Sequence, residues 1–458
     1  MLQTQRINGW GRNKFADVTV FTPENLSLLK DFLKNLNSNS IISRGLGRSY
    51  GDSAQLDKEK VVKLTNFKDI KLNEEKRTVT VQAGASFDEL LSFLVPRGFF
   101  LPVSPGTRFV TVGGAISSDV HGKNHHIDGS FGKNLKNIVL MDGNGNIHDL
   151  FPSDENPSNS KKFWSTVGGM GLTGIIIEAT FSLISITSSF MNVDTKRFND
   201  IDTLMNEMTE SDKKYRYSVA WIDSLNKKFR GVLTCGEHIE KKKLPKDILQ
   251  KSLDYNIKPL ANAPNLFPNG FLNKFTVKAF NEAWFRKNPK LSFDDLQNLG
   301  QFFYPLDGIK NWNRIYGSAG FIQYQFVVPD EASYLIVRTL ETFRKISVPS
   351  FLTVLKRFGE ANPAPLSFPI PGWTLAIDIP ANIPNLDSEL NKLDKEIVNA
   401  GGRIYLAKDS RQSSEVFQES YPRLSEWLEI QKELEQKNKA IDFYRNRERR
   451  YGASNAFI

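Results

Sequence analysis

The stretch "PGTRFVTVGGAISSDVHGKNHH", residues 105–126, holds four glycines and three of the five histidines of this 458-residue chain. His121 and His125 are four residues apart, and on a helix they would share a face that could bind a metal ion. Gly122 and Asn124 interrupt helical spacing between them. The stretch is therefore expected to be a loop and not a metal-binding helix.

Three more glycine-rich turns occur in the first 175 residues: "SRGLGRSYGD" (43–52), "HHIDGSFG" (125–132) and "TVGGMGLTG" (166–174). Glycine tolerates positive φ and lets backbone N–H groups approach a phosphate closely. Four such turns in one region favour a long ligand that contains a diphosphate. The turn at 45–51 reads GxGxxxG and does not match the Rossmann fingerprint, and the P-loop pattern is absent.

The composition is that of a folded protein, with 40% hydrophobic and 24% charged residues, and its length predicts two or three domains. A lone cysteine, Cys235, excludes an internal disulfide, CxxC zinc sites and iron–sulfur clusters. The N-terminus lacks the apolar core of a signal peptide, and the sequence has no run of 18 consecutive apolar residues. Neither a signal peptide nor a membrane-spanning helix is therefore expected. The net charge of +9, with basic clusters at 240–246 and 444–452, is compatible with an anionic substrate, a membrane surface or nucleic acid. No nucleic-acid-binding pattern stands out, so that last class is disfavoured.

The composition and the residue spacing of the chain change near residue 186. Before it, strand-like and helix-like segments alternate around the glycine-rich turns. After it, aromatic residues increase and the pattern is typical of an α+β domain with an antiparallel sheet. The tail, 402–458, has a strand, a turn and a helical pattern, and is expected to return to the first domain.

Several ordered blocks resemble one known family. They include "RGLGRSYGD" (44–52), the opening stretch, "FWSTVGGMGLTGI" (163–175), "APLSFPIPGW" (364–373) and "GGRIYLAKDSR" (401–411). These blocks are similar to the decaprenylphosphoryl-β-D-ribose oxidases, which belong to the FAD-linked oxidases related to vanillyl-alcohol oxidase. Long blocks in the same order are far more specific than one glycine motif.

The resemblance implies a two-domain α+β architecture, with a PCMH-type FAD-binding domain at 1–185, a substrate domain at 186–401 and a C-terminal return at 402–458. It also implies that the first glycine-rich turn and the "TVGG" loop hold the FAD diphosphate. The FAD contacts carried over are Arg44, Gly45, Leu46, Gly47, Arg48, Ser49, Tyr50, Gly51, Asp52, Ser53, Gly106, Thr111, Val112, Gly113, Gly114, Ser118, Asp119, Val120, His121, Ile176 and Tyr405.

The flavin linkage is expected to be non-covalent. Many superfamily members read R-x-G-G-H in the first turn, and that histidine bonds to the flavin. Here Arg48 stands in its place, and a guanidinium, protonated at any usual pH, is not a nucleophile. Cys235 lies outside any flavin motif, so a cysteinyl linkage is not supported either.

The implied reaction is oxidation of the 2′-hydroxyl of a lipid-linked ribose phosphate to a ketone. Lys408 is the first candidate for a catalytic residue, as stabiliser of an alkoxide or as proton acceptor, with Tyr50, Tyr405 and His121 beside it. Candidate substrate residues are Lys356, Asn362, Gln323, Gln325 and Ala376, the last at a position where mycobacterial members carry a cysteine. His125 and His126 are expected to brace the loop, and the expected pocket wall consists of Trp221, Phe303, Tyr304 and Trp312.

The resemblance also implies partners. A quinone or dioxygen would reoxidise the cofactor, and an NAD(P)H-dependent short-chain reductase would convert the keto sugar to the arabinose epimer, a lipid donor for cell-envelope polysaccharide. A lipid substrate would place the enzyme in the cytoplasm or peripherally on the cytoplasmic membrane face. The alternatives are a soluble sugar or alditol oxidase that uses O₂, and a protein that keeps FAD without activity.

Overall fold

A computed structural model describes residues 2–36 and 41–434 and places the N-terminal strands in two sheets. The first is mixed, with the order Leu2–Asn8, Phe15–Phe21, Lys60–Lys63, Ile41–Arg44. The second is antiparallel, with the order Ile70–Asn73, Thr78–Gln82, Ile175–Ser182, Leu135–Met141, Ile147–Leu150. The basic cluster at 444–452 and the end of the tail lie outside the described residues.

Local sequence explains how the second sheet leads into the cofactor region. Thr78–Gln82 alternates, with Val79 and Val81 fully buried, as a strand with one core face requires. The next helix, Phe87–Leu94, begins at a capping box in which Ser86 and Glu89 bond each other's backbone N–H groups. This helix, predicted by the sequence pattern, is present.

The aromatic-rich part of the chain forms an eight-stranded sheet that is antiparallel throughout, as predicted. Its strand order is Leu291–Asn298, Phe190–Phe198, Gly231–His238, Tyr217–Ile222, Thr353–Phe358, Gly372–Pro380, Phe321–Val328, Arg403–Ile404. Two further pairs of very short strands are Phe99–Phe100 with Ile184–Ser185, and Ala261–Asn262 with Ile309–Lys310.

Two interior strands near one end of this sheet, Phe321–Val328 and Gly372–Pro380, are buried on both faces. One face is apolar and packs in a core cluster with residues of the helices Tyr334–Lys345 and Leu386–Asn399. The other face carries Gln323, Gln325 and Asp378. Because buried polar groups require partners, this second face is the place to look for a site.

The remaining α-helices surround the sheets: Leu26–Lys34, Val112–Ser117, His125–Asp128, Pro157–Thr166, Ile201–Ser211, Lys274–Lys287, Leu299–Phe303, Ser414–Ser420 and Leu424–Leu434. In the described part of the chain, no helix has both the length and the apolar character needed to cross a membrane.

The tail returns towards the N-terminal part of the chain. Arg403–Ile404 still pairs with the eight-stranded sheet, and the predicted tail helix is split in two, with Pro422 between the halves. Trp427 Nε1 then donates to Ser165 O at 2.9 Å, which docks the last described helix on Pro157–Thr166. These contacts support the division at 1–185, 186–401 and 402–458, which stays a proposal.

Candidate active site

Two glycine-rich loops lie in contact at the edge of the N-terminal sheets. A Cβ placed on Gly45 would lie 2.2 Å from Thr111 Oγ1, and Gly47 has a φ of +65°. Only glycine fits the first position without displacing Thr111, and the second is a left-handed conformation that L side chains rarely adopt. Thr111 Oγ1 accepts from Gly114 N at 3.2 Å and caps the short helix Val112–Ser117.

The first loop offers backbone donors to an anion. Within the described residues, the N–H groups of residues 46–49 donate no hydrogen bond to the protein. Successive N–H groups around a left-handed glycine form a concavity that binds anions. The loop therefore fits a diphosphate such as that of FAD.

The two arginines of this loop are engaged with the protein itself. Arg44 donates to Ala54 O and Asn8 O at 2.9 and 2.5 Å, and burial lowers its pKa to about 10. Arg48 donates to Phe109 O at 3.0 Å, and its guanidinium lies 4.0 Å from the Trp10 ring centroid. Both were expected to contact FAD. Their side chains hold the loop, so contact with a cofactor would fall to the backbone.

The tail segment 405–409 packs directly against the same loop. Tyr50 N donates to Ala407 O at 2.9 Å, and Ser53 Oγ donates to Leu406 O at 3.1 Å. A Cβ on Gly51 would lie 1.9 Å from Asp409 O, so the two backbones are as close as they can be. This packing puts Lys408 Nζ 3.6 Å from the centroid of the Tyr50 ring, a cation–π contact.

The sheet register brings most of the expected substrate residues to one face. Gln323 lies opposite Asp378, and Gln325 lies opposite Ala376. Lys356 lies opposite Thr374 on the next strand. Because directly opposed residues of antiparallel strands share a face, these six side chains project to the same side of the sheet.

His121 joins the loop to this face. Gln325 Nε2 lies 3.1 Å from His121 Nε2 and 3.3 Å from Thr374 Oγ1. The Thr374 hydroxyl donates to Phe326 O, so it accepts from the amide, and His121 Nε2 accepts as well. The imidazole proton is then on Nδ1, which has no partner among the described residues. Burial first, then Lys356, His125 and Lys408, lower the pKa of His121, so it is neutral at pH 7.

Asp119 connects the histidine-containing loop to the segment that follows strand Thr353–Phe358. It is fully buried, has a φ of +38°, and accepts from Ser130 Oγ, Gly132 N, Asn362 Nδ2 and Ser367 Oγ. The Asn362 amide also donates to Ser130 and accepts from Ala364 N. Both N–H groups of the Asn362 amide are therefore engaged within the protein and position the loop, while its expected contact with the sugar stays a prediction.

Three half-buried lysines act on one another electrostatically near the polar face, with Lys356 as the shared partner of Lys123 and Lys408. Burial lowers the pKa of Lys356 to about 8, and burial with the charge of Lys356 lowers that of Lys123 to about 7. Burial also lowers the pKa of Lys408, while the neighbouring Asp378 opposes that shift. Asp378 accepts from Gln323 at 2.5 Å and Tyr316 OH at 3.3 Å, and burial raises its pKa.

Two of these groups were missed by sequence reasoning. Asp378 lies in "GWTLAIDIP", and its alternation with Thr374 and Ala376 was the available signal. Lys123 donates to Phe302 O, a carbonyl far along the chain, and no sequence pattern marks it.

Other expected residues have definite places. Phe303 and Tyr304 lie in the main core, with Tyr304 OH 2.6 Å from Ser104 Oγ, so they do not line a pocket wall. His125 Nδ1 accepts from Gly359 N, and His126 Nε2 donates to Tyr215 O.

Tyr405 OH donates to Ser118 O at 3.0 Å, which anchors the loop beside His121. Ile176, Val112 and Val120 are buried in the core behind the loops, and a Cβ on Gly106 would meet nothing within 4 Å.

His121 and His125 do not share a helix, since Val112–Ser117 ends before His121 and the next helix begins at His125. Among the described residues, no group of three or more His, Cys, Asp or Glu side chains is arranged to hold a metal ion. Cys235 is buried in the core on the opposite side of the sheet, and burial raises the pKa of its thiol to about 12.

Comparison with known proteins agrees with this geometry. Residues 19–150, which include both glycine-rich loops, match a family described as an FAD binding domain. A decaprenylphosphoryl-β-D-ribose oxidase of Mycolicibacterium smegmatis is 39% identical over 94% of this chain and 95% of the relative. The chain belongs to the decaprenylphosphoryl-β-D-ribose oxidase family. As a member, it is an FAD-dependent oxidoreductase with the two-domain α+β fold of FAD-linked oxidases.

More distant relatives match parts of this chain. An uncharacterised Streptomyces coelicolor protein is 30% identical over 74% of this chain and 93% of its own length. Cytokinin dehydrogenase 2 of Arabidopsis thaliana is 25% identical over 37% of this chain and 35% of its own length. The family assignment therefore rests on the mycobacterial oxidase.

Covalent attachment of FAD to this family member is not expected, because Arg48 occupies the histidine position of the first turn and Cys235 is buried away from it. Acid denaturation followed by filtration should release all of the flavin as intact FAD. Flavin absorbance that stays with the precipitated chain would contradict this prediction.

Proposed function

We propose that this enzyme oxidises the 2′-hydroxyl of a polyprenylphosphoryl-β-D-ribose to the 2′-keto sugar, the first half of an epimerisation to the arabinose lipid donor. The mycobacterial relative, a decaprenylphosphoryl-β-D-ribose oxidase that is 39% identical, supports the substrate class. The observation that carries the proposal is the polar face of the sheet, where Lys356 and Asp378 project to the same side and both act electrostatically on Lys408. A buried site lined by lysines suits an anionic sugar phosphate.

The backbone of residues 46–49 and the Thr111–Gly114 loop would hold FAD, which supplies a hydride acceptor when bound. Lys408 is the proposed proton acceptor for the sugar hydroxyl, since burial and Lys356 lower its pKa and favour the neutral amine. His121 Nδ1–H and Tyr50 are proposed to orient substrate or cofactor. Lys356 and Lys123 are proposed to bind the phosphate, and Gln323 and Gln325 to fix Asp378 and His121 beneath it.

The proposed partners follow from this reaction. A quinone or O₂ would reoxidise the flavin, and an NAD(P)H-dependent short-chain reductase would complete the epimerisation. The proposed location is the cytoplasm or the cytoplasmic face of the membrane.

Anaerobic mixing of the FAD-loaded enzyme with a polyprenylphosphoryl ribose tests the proposal. Bleaching of the oxidised-flavin band within the time of turnover is the expected result. The alternative, a soluble sugar or alditol oxidase, predicts no bleaching with this substrate, bleaching with free alditols, and rapid peroxide formation in air. No bleaching with either class, in enzyme that dithionite reduces, would favour a protein that keeps FAD without this activity.

A further inference from the structure

Exposed apolar side chains are concentrated in one segment of the chain, residues 260–309. Of eighteen large hydrophobic residues exposed in the described part of the chain, nine lie between residues 260 and 309. Leu260, Leu266 and Phe275 are 92, 86 and 84% exposed. Side chains this apolar and this exposed mark a surface that binds something.

Every charged side chain in residues 255–281 is a lysine. Residues 255–281 include Lys258, Lys274 and Lys278, all exposed, and no acidic residue. The first acidic residue after them, Glu282, is paired with Arg230 and Arg286. Exposed lysines among exposed apolar side chains are the combination that favours an anionic lipid surface over a neutral one.

The segment also leads to the active site. Leu272 packs against a cluster formed by Trp312, Tyr316 and Phe321. Tyr50 packs on the same cluster, with its ring 5.3 Å from that of Phe321, and carries Lys408 on its face. An apolar connection therefore runs from the exposed segment to the proposed proton acceptor.

We propose that residues 258–278 are the surface by which this enzyme docks on an anionic bilayer, with Leu260, Leu266 and Phe275 entering the interface. The link to a lipid substrate rests on the proposed function, but the docking itself does not. On the bilayer, most of the polyprenyl chain stays in lipid, and the prenyl units next to the sugar phosphate pack along the apolar cluster, which brings the sugar to Lys408.

Vesicle sedimentation of the FAD-loaded enzyme tests the proposal, with phosphatidylglycerol/phosphatidylcholine vesicles against pure phosphatidylcholine. The variant L260S/L266S/F275S is expected to lose about tenfold or more in partitioning to anionic vesicles. Its matched control, L2S/L26S/L28S, removes three exposed leucines elsewhere and should bind like the unmodified enzyme. K258E/K274E/K278E should abolish the preference for anionic lipid, whereas K71E/K76E/K136E, on other exposed lysines, should weaken it much less.

Activity separates this surface from the proposed function. The apolar triple variant should keep its turnover of a short, detergent-soluble prenylphosphoryl ribose and lose turnover of a long-chain substrate presented in vesicles. Absence of turnover with either substrate, with vesicle binding as expected, overturns the proposed function and leaves the docking surface supported. Equal binding by the triple variant and its control, no preference for anionic lipid, or a dimer in sedimentation velocity that the triple variant dissolves, overturns the docking surface.

Discussion

Replacing Lys408 with methionine is expected to lower kcat/KM by roughly 10²–10⁴-fold, the usual contribution of a general base. The methionine keeps an unbranched apolar stem against Tyr50, where the ammonium lies 3.6 Å from the ring centroid. Folding and FAD content should therefore be unchanged. The measurement is anaerobic flavin reduction by the lipid-linked ribose, with dithionite reduction as the control for cofactor integrity.

Two variants separate charge from proton transfer. Arginine at position 408 keeps the positive charge but cannot accept a proton, so Lys408→Arg should be nearly as slow as Lys408→Met. Lys356→Met removes another half-buried ammonium from the same face and should raise KM more than it lowers kcat. Activity of Lys408→Arg within about tenfold of the unmodified enzyme would show that the charge, and not proton acceptance, is what matters.

Replacing Asp378 with asparagine is expected to move the rising limb of the kcat/KM profile to lower pH. The Asp378 carboxylate raises the pKa of Lys408 against the effect of burial, so its removal lowers that pKa further. The neutral amine, which is the active form, then persists to lower pH. Asparagine still accepts from Gln323, so the thermal midpoint and the FAD content serve as controls for folding.

The double variant D378N/K408M completes this test, because it should have no rising limb in the same pH range. A limb that moves to higher pH, or that does not move, would contradict the coupling of the two groups. A single variant D378N that has lost the limb altogether would identify Asp378 itself as the base, and the role given to Lys408 would be wrong.

The sequence predicted those parts of the fold that are encoded locally. The glycine-rich loops, the hairpin of Leu135–Met141 with Ile147–Leu150, and the strand Gly372–Pro380 each follow from spacing or composition within a few residues. The family resemblance, carried by ordered blocks, predicted the two-domain α+β fold and FAD as the cofactor. The residues proposed for catalysis and substrate remain predictions until they are tested.

What the sequence could not show depends on distant partners. Asn362 reads as a polar residue near a substrate loop, but its partner Asp119 is 243 positions away. Asp378 stands in a strand whose nine residues are all buried, and its role appears only when Gln323 is placed opposite it. Register between strands far apart in sequence is not encoded in either strand alone.

The hydrogen bonds of Asp119 hold residues 119–132 and residues 362–367 together and so oppose any opening of the site between them. A motion that separated residues 119–132 from residues 362–367 would remove two of the four hydrogen-bond donors of the buried Asp119 carboxylate. Each lost bond to a charged group costs about 1.5–3 kcal/mol, so we expect these two segments to stay together during turnover. We expect substrate to enter instead on the side of the proposed docking surface, where Leu272 packs against Trp312, Tyr316 and Phe321.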